Sequence, residues 1–359
     1  MASLVDAEAE AAVVAPPAAE GLAATPASAS EIKMLTYNCG LLRFRLFGTW
    51  GGTVFHNPPH VTDRFPHLAK ALLDSGADII ALQEIYEPGH IDQLCAAVKE
   101  VYPYSGYRRS GGWAKFTNGL MFLSKFEISD VALEMHAQMA GVERMLGSKA
   151  VLAVRVNTPV GQLYLMNLHT TAGGGLSPEA VDAVRESELQ EAVDMGTAAL
   201  GEGYIPIILG DMNMGPVVSK PNYDFVISQS YFDAVTQCVS EEQLPLMTWD
   251  PANPLNAVGP HKDCPPQWVD HFFVHDSSGL EGAETAIVLT GQLCSRQTTA
   301  ASIPACASVT PSLAPSPSTL SHPGSPHPPG TQSPSWSYRQ RRRPLRRSPY
   351  PTTTASASR

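Results

Sequence analysis

The chain has 359 residues, 43% of them apolar, which is enough for one large α/β domain with terminal extensions. Its formal charge of −10 disfavours a surface that tracks nucleic acid, because such a surface needs a basic footprint. No run approaches the roughly 20 apolar residues of a membrane span, and the N-terminus lacks the pattern of a signal peptide. We therefore expect a protein that is cytoplasmic or peripheral to a membrane.

The first 30 residues are rich in alanine and proline and are predicted to be disordered. From Ile32 onward, short apolar runs of β character alternate with helical patterns. A helix is predicted over 63–76, and a second one begins at the cap Ser177-Pro178 and runs toward Gly201. The apolar runs lie at 34–38, 78–84, 119–125, 150–156, 162–170, 205–211 and 268–274. This alternation predicts a layered α/β fold.

The amino-acid composition changes at Arg296, and the last 64 residues contain 12 prolines, eight arginines and no acidic residue. Such a composition cannot build a core and predicts a disordered tail. The domain prediction is a disordered segment over 1–30, a folded domain over 31–295 and a disordered tail over 296–359. Within the tail, the run 339–347 is either a nuclear-localisation or nucleic-acid patch or a solvated segment, and we favour the solvated segment.

Polar residues close several of the predicted strands, where binding groups commonly collect. Asn38 and Glu84 end two of them, His169 ends a third, and Asp211 and Asn213 follow a fourth in the run GDMN. Each alone is a weak signal, because a single Glu is usually solvated and GDMN resembles an ordinary turn. Together they supply hard oxygen ligands and one proton donor. Such a set suits Mg²⁺ with a substrate phosphate and predicts metal-assisted phosphodiester hydrolysis.

The segments LTYN, ALQE, NGLMFLSK, NLHT, GDMN and VDHFFV occur in this order along residues 32–292. The series resembles the endonuclease/exonuclease/phosphatase superfamily, and 248-TWDPANPL-255 is similar to the neutral sphingomyelinase version. The resemblance implies a four-layer α/β sandwich of the DNase I type, with two packed β-sheets flanked by helices. It also implies hydrolysis of sphingomyelin, a phospholipid at a membrane surface, to ceramide and phosphocholine.

The resemblance assigns a role to each matching residue. Glu84 and Asn38 are expected to hold Mg²⁺, with Mn²⁺ as an alternative metal. His169 is expected to contact the scissile phosphate and to serve as an acid, while Asp211 and Asn213 position the attacking water and the phosphate. Two further residues in similar motifs, Asn118 and Lys149, are weaker candidates for substrate binding. The alternative for Lys149 is a solvated surface lysine.

The stretch 267-QWVDHFFVH-275 places Asp270 where the superfamily has an aspartate that orients a catalytic histidine. Adjacent residues on a strand point to opposite faces, so His271 is predicted to face away from the site when Asp270 faces it. In the superfamily the histidine comes from a later Ser-Asp-His motif that opens the last core strand. No such motif follows Cys294 here, so both the general base and that strand are predicted to be missing.

Two explanations for this departure remain open. Either the protein has diverged, or the residues beyond about 295 derive from a retained intron or a shifted reading frame, which the abrupt change in composition favours. Three functions are therefore carried forward. They are a sphingomyelin phosphodiesterase of doubtful activity, a nuclease or other phosphoesterase of the same superfamily, and a non-catalytic protein that binds Mg²⁺ and phosphate.

Overall fold

The computed structural model describes residues 11–14, 31–45, 53–108, 117–137, 149–173, 175–239, 244, 246–256, 262–288 and 308–315. All of these lie in one compact unit, Met1–Pro317. The helices are α1 (Val61–Asp74), α2 (Pro88–Val98), α3 (Pro178–Gly201), α4 (Lys220–Ser228) and α5 (Ala234–Cys238), with a 3₁₀ turn at Asp276–Ser278. The first strands are β1 (Ala11–Val14), β2 (Ile32–Asn38), β3 (Leu42–Arg45), β4 (Thr53–Asn57), β5 (Ile79–Gln83), β6 (Tyr104–Arg108), β7 (Met121–Ser124) and β8 (Ile128–Met135). They are followed by β9 (Ala150–Thr158), β10 (Gly161–His169), β11 (Ile205–Asp211), β12 (Tyr231–Asp233), β13 (Asp270–His275), β14 (Leu280–Val288) and β15 (Ser308–Pro315).

The strands form two mixed sheets and a separate hairpin. The first sheet has the order β1-β6-β7-β5-β2-β15-β14, and the second has the order β12-β13-β11-β10-β9-β8. Each sheet contains one parallel pair near its centre, β2 with β5 in the first and β10 with β11 in the second. The hairpin pairs β3 with β4 directly after the first of these strands. The C-terminal ends of the two parallel pairs therefore carry Asn38, His169 and Asp211, with Glu84 and Asn213 just beyond the strands.

Three apolar cores separate four layers. The core between the sheets, here called the inter-sheet core, contains side chains from both, such as Met34 and Ile79 from the first and Leu165 and Leu209 from the second. A second core packs α1 and α2 on the outer face of the first sheet. A third core packs α3 and α4 on the outer face of the second sheet. The predicted four-layer sandwich is confirmed.

The helix signals in the sequence place the long helices correctly. The predicted cap Ser177 accepts a hydrogen bond from the backbone N–H of Ala180 at 3.3 Å, and Pro178 stands at the first helical position. In α1 the buried residues Leu68 and Leu72 lie one turn apart on the face that packs against the first sheet. Burial of these stripes, rather than helix propensity, supplies most of the stability of such helices.

Two described strands lie in segments that were predicted to be disordered. Ala11–Val14 pairs antiparallel with β6 at the edge of the first sheet. Ser308–Pro315 pairs with β2 on one side and β14 on the other. The expectation that the last core strand is missing is therefore wrong for the described fold, because β15 fills that position although its sequence is rich in Ser and Pro. The intron or frameshift origin of residues 296–359 stays a prediction.

Candidate active site

The candidate site lies where the inter-sheet faces of several strands change from apolar to polar. Side chains on one face of a strand recur every second residue, so each face can be followed directly along the sequence. The inter-sheet face reads Ile32, Met34, Thr36, Asn38 in β2; Leu163, Leu165, Asn167, His169 in β10; and Ile207, Leu209, Asp211 in β11. The apolar part of each series builds the core, and the polar ends meet above it.

Asn38 lies at the centre of this cluster, between two carboxylates that come from different sheets. Its amide Nδ2 donates to Glu84 Oε1 at 3.0 Å and to Asp211 Oδ2 at 2.9 Å. Its Oδ1 accepts from the backbone N–H of Gly40 at 2.9 Å, which fixes the turn that leaves β2. Direct hydrogen bonds therefore bring together three side chains that the sequence predicted to lie in one site.

Glu84 reaches the site through an unusual backbone conformation. Gln83 occupies the inter-sheet face at the end of β5, so a regular strand would send Glu84 to the opposite face. Instead Glu84 has φ of 60°, in the left-handed region that a residue with a side chain rarely adopts. The turn allows two successive side chains to face the gap between the sheets. Backbone conformations of this kind cost about 1–3 kcal/mol and cluster at functional sites.

The environment of Glu84 favours its protonated form. Burial raises the pKa of this carboxyl to about 7, with the Asp211 carboxylate as a further cause and the Asn38 hydrogen bond acting in the opposite direction. A carboxylate placed this unfavourably is better accommodated when a cation shares the site. The raised pKa of Glu84 is therefore consistent with a carboxylate that binds a metal ion.

His169 faces both acidic groups, with its Nε2 at 3.9 Å from Glu84 Oε1 and at 3.9 Å from Asp211 Oδ2. Burial, and then the positive charge of Lys149, lower the pKa of His169 well below 6.5. The imidazole is consequently neutral at neutral pH despite its two acidic neighbours. A neutral ring can donate one hydrogen bond to a phosphate oxygen and accept another.

The backbone of Thr170, directly after His169, gathers three further groups. Its carbonyl accepts from Lys149 Nζ at 2.8 Å and from Asn213 Nδ2 at 3.1 Å, and its N–H donates to the carbonyl of Asp211 at 3.2 Å. Asn213 has φ of 47°, and its N–H donates to Asp211 Oδ1 at 3.1 Å. The reading of Lys149 as a solvated surface lysine does not hold, because its ammonium group is half-buried against the site loop.

Asn118 lies on the loop before β7, and this loop passes beside Ile85, the residue that follows Glu84. The loop is tied there by the backbone N–H of Ile85, which donates to the carbonyl of Gly119 at 2.9 Å. The side-chain oxygen of Asn118 accepts from the N–H of Leu120 at 3.0 Å. Its Nδ2 is buried and has no hydrogen-bond partner among the residues that the structure describes. Buried polar groups are usually paired, so this donor requires an explanation, and substrate binding by Asn118 stays a prediction.

Asp270 stands opposite Asp211 across the antiparallel pair β11–β13. Its side chain is buried, and its Oδ1 has no hydrogen-bond partner within the described part of the chain. Burial, and then the Asp211 carboxylate, raise the pKa of Asp270 well above its usual value of 3.8. Among the described residues no histidine contacts this oxygen, and the role of Asp270 as the orienter of a missing histidine stays a prediction.

His271 lies on the other face of β13, as strand alternation predicts. Its Nδ1 is 2.7 Å from Asp233 Oδ2 and its Nε2 is 2.8 Å from the carbonyl of Met214. The ring is fully buried and packs between Trp268 and Phe273. Both ring nitrogens are therefore bonded within the core on the outer face of the second sheet. His271 cannot act as a base at the cluster.

Sequence reasoning missed several residues that hold this site. The buried Arg64 on α1 donates to the carbonyls of Cys39 and Gly40, which fixes the loop after Asn38. A charged residue on a helix looks solvated in a sequence, so nothing signalled this contact. Gln83 and Asn167 were also missed, although each stands at a polar position within an otherwise apolar run, which is the one visible clue.

The donor set fits a hard divalent cation. Among the described residues, no group of three or more His, Cys, Asp or Glu side chains forms a ready-made metal site. Mg²⁺ does not need one, because it usually binds through one or two carboxylates and retains several waters. Glu84 offers a carboxylate with Asp211 beside it, and the Asn38 side chain bonds both of them, so a rotation of its amide would turn the oxygen toward the same place.

The two sheets, their flanking helices and the polar cluster between them define a DNase I-like α/β sandwich. A sequence profile of the Endonuclease/Exonuclease/phosphatase family matches residues 35–312, and the chain belongs to this family of hydrolases that act on phosphodiesters. Comparison with curated protein sequences found no match. The profile match extends into β15, beyond the boundary at 295 that the sequence suggested.

Solved structures share the fold at low sequence identity. Sphingomyelinase C from Streptomyces griseocarneus aligns with a TM-score of 0.59 and 17% identity over 79% of this chain and 99% of its own. The beta toxin of Staphylococcus aureus, in a variant with bound magnesium ions, aligns with a TM-score of 0.55 and 16% identity over 80% of this chain and all of its own. A truncated TDP2 from Caenorhabditis elegans has a TM-score of 0.54 and 14% identity, over 79% and 97% respectively.

None of the helices in the described ranges is long and apolar enough to cross a membrane.

Proposed function

We propose that the protein is a Mg²⁺-dependent phosphodiester hydrolase whose substrate is sphingomyelin, cleaved to ceramide and phosphocholine at a membrane surface. The observation that carries this proposal is the cluster of Asn38, Glu84, His169 and Asp211, which joins ligands and proton donors from both sheets. The choice of substrate rests on the sphingomyelinase-like run at 248–255 and on the sphingomyelinase structures among the fold neighbours.

Each residue of the cluster has a role that its position supports. Glu84 and Asn38 would hold the metal ion, with Mn²⁺ as an alternative to Mg²⁺. When bound, the metal supplies a Lewis acid that offsets the charge developing on the phosphoryl oxygens. Neutral His169 donates a hydrogen bond to a phosphate oxygen, and the unsatisfied amide of Asn118 is available to another.

The attacking water requires an acceptor and a fixed position. Asp211 is buried beside Asn213, whose N–H orients one of its oxygens, so the pair can hold a water in line with the phosphorus. Asp270 would orient a base, but the described residues include no histidine bonded to it. General base catalysis is worth about 10²–10⁴ in rate, so we expect turnover reduced by about this factor.

The decisive assay uses the purified full chain with Mg²⁺ on sphingomyelin vesicles, with plasmid DNA and a synthetic phosphodiester as parallel substrates. Metal-dependent release of phosphocholine that is lost in Glu84→Gln and kept in Glu100→Gln supports the proposal. Glu100 is a matched control because its carboxylate is 87% exposed and pairs with Lys99 rather than with a residue of the cluster. Cleavage of DNA in place of sphingomyelin would assign the site to a nuclease of the same family.

A second candidate is a non-catalytic protein that binds Mg²⁺ and phosphate. The buried Asp270 Oδ1, which has no partner among the described residues, favours it, because a working dyad would satisfy this oxygen. Its signature is stabilisation by Mg²⁺ and by inorganic phosphate in thermal unfolding, with no hydrolysis of any of the three substrates.

A further inference from the structure

Three fully buried polar side chains cross the gap between the sheets directly beneath the candidate site. They are Thr36 on β2, Gln83 on β5 and Asn167 on β10, each with 0% of its surface exposed. Their neighbours on the same faces are apolar, for example Met34 and Leu165. Apolar residues at these depths evidently suffice for packing, so the polar trio requires another explanation.

The trio forms one hydrogen-bonded connection between the sheets. Gln83 Nε2 donates to Thr36 Oγ1 at 3.0 Å within the first sheet and to Asn167 Oδ1 at 2.8 Å in the second. Asn167 Nδ2 returns to the first sheet, where it donates to the carbonyls of Leu82 at 2.9 Å and of Met121 at 3.2 Å. The single side chain of Asn167 thus contacts two strands of the opposite sheet.

Every member of the trio adjoins a residue of the candidate site. Thr36 stands two residues before Asn38 on the same face of β2, and Asn167 stands two residues before His169 on the same face of β10. Gln83 directly precedes Glu84. The hydrogen bond from Gln83 to Asn167 therefore holds the chain immediately before the left-handed backbone of Glu84. The connection therefore lies one step below the place where the two halves of the site meet.

Apolar packing alone would not fix the two halves with the same accuracy. Dispersion contacts are weak individually and tolerate small shifts of one sheet over the other, whereas hydrogen bonds require specific distances and angles. A buried polar network costs desolvation and is often no more stabilising than apolar residues of equal size, but it selects one arrangement. The buried Gln83 Oε1, which lacks a partner among the described residues, is a further cost that the arrangement tolerates.

We propose that Thr36, Gln83 and Asn167 form an inter-sheet clamp, a positioning device that fixes the Asn38–Glu84 half of the site relative to the His169–Asp211 half. The link to ligand binding rests on the proposed function, whereas the positioning itself is a property of the free protein. The clamp residues touch no substrate and act through the site residues that follow them on each strand.

The first test measures positioning without any ligand. Nuclear magnetic resonance of the full chain, labelled with ¹⁵N-histidine, reports the ring of His169, and a His169→Gln spectrum assigns its signals. We expect one sharp set in the wild type, and shifted or exchange-broadened signals in Asn167→Leu and in the milder Gln83→Met and Thr36→Val. The control is Leu165→Ala, which weakens the same core without touching the clamp. Unchanged His169 signals in all three clamp variants, or an equal change in Leu165→Ala, would overturn the proposal.

The second test measures whether the two halves act on one ligand. Thermal unfolding is followed with Mg²⁺ alone, inorganic phosphate alone, and both. In the clamp variants we expect the Mg²⁺ response to persist and the affinity for phosphate in the presence of Mg²⁺ to fall by up to about ten-fold, the usual worth of one hydrogen bond. Wild-type coupling retained in the variants contradicts the clamp. A wild type that responds to neither ligand contradicts the proposed function, and the His169 signals then decide the clamp alone.

Discussion

Replacing Glu84 with glutamine should stabilise the metal-free protein at pH 8 while removing its response to Mg²⁺. Burial raises the pKa of Glu84 to about 7 from an ordinary value of 4.5, so the folded protein holds this proton more tightly than the unfolded chain does. Stability contributed by this group is therefore present below pH 4.5 and is lost as the pH rises through 7. At about 1.4 kcal/mol per pH unit, the cost at pH 8 is about 3 kcal/mol.

Glutamine can still accept the hydrogen bond from Asn38 Nδ2 but carries no charge, so it avoids this cost. The assay is urea unfolding of both proteins with a chelator at pH 5 and pH 8, followed by thermal unfolding with Mg²⁺. Relative to wild type, we expect the variant to gain about 2 kcal/mol or more in stability at pH 8 beyond what it gains at pH 5, and the exposed control Glu100→Gln to change neither property. A variant that is no more stable than wild type at pH 8 would contradict the raised pKa of Glu84, and one that keeps the Mg²⁺ response would contradict its role as a metal ligand.

Three further predictions test other parts of the account. Lys149→Met should raise the pKa of His169, because the lysine charge lowers it, and a histidine titration that shows no change or a decrease would contradict the assignment. His271→Ala should lose about 3–5 kcal/mol in urea unfolding, because a cavity forms and the buried Asp233 loses its histidine partner, yet it should keep the Mg²⁺ response. Loss of that response at full stability would make His271 part of the site. Gly210→Ala should destabilise the protein by more than about 3 kcal/mol, because the φ of Gly210 is 142° and a Cβ would collide with the carbonyl of Leu168. The control Gly203→Ala should cost about 1 kcal/mol, because its φ is 87° and a Cβ there would meet open space. Equal costs for the two variants would argue against the collision.

The sequence was sufficient for the layers of the fold and for most members of the site. On three strands the inter-sheet face is apolar and then ends in a polar residue, which is Asn38, His169 or Asp211. This alternation, with a period of two residues, can be recognised from the sequence alone. Alternation also placed Asp270 and His271 on opposite faces correctly. These features depend on local periodicity, which a single sequence contains.

Other features depend on contacts between distant segments, which periodicity does not encode. The left-handed turn at Glu84 allows Gln83 and Glu84 to face the same side of the sheet, and the sequence ALQE does not indicate this turn. The connection from Gln83 to Asn167 joins residues 84 positions apart in the chain. Strand β15 was missed because its composition is that of a disordered segment, and only its pairing with β2 and β14 makes it part of the sheet.

The proposed function requires that the Asn38–Glu84–His169–Asp211 cluster hydrolyse a phosphodiester with the help of a divalent metal ion. The most direct measurement is phosphocholine release from sphingomyelin vesicles by the full chain, with Mg²⁺ or with a chelator, for wild type and Glu84→Gln. We expect slow release that requires both Mg²⁺ and Glu84. Release that persists in the chelator or in Glu84→Gln would contradict it. Mg²⁺ binding without any release would assign the protein to the non-catalytic candidate.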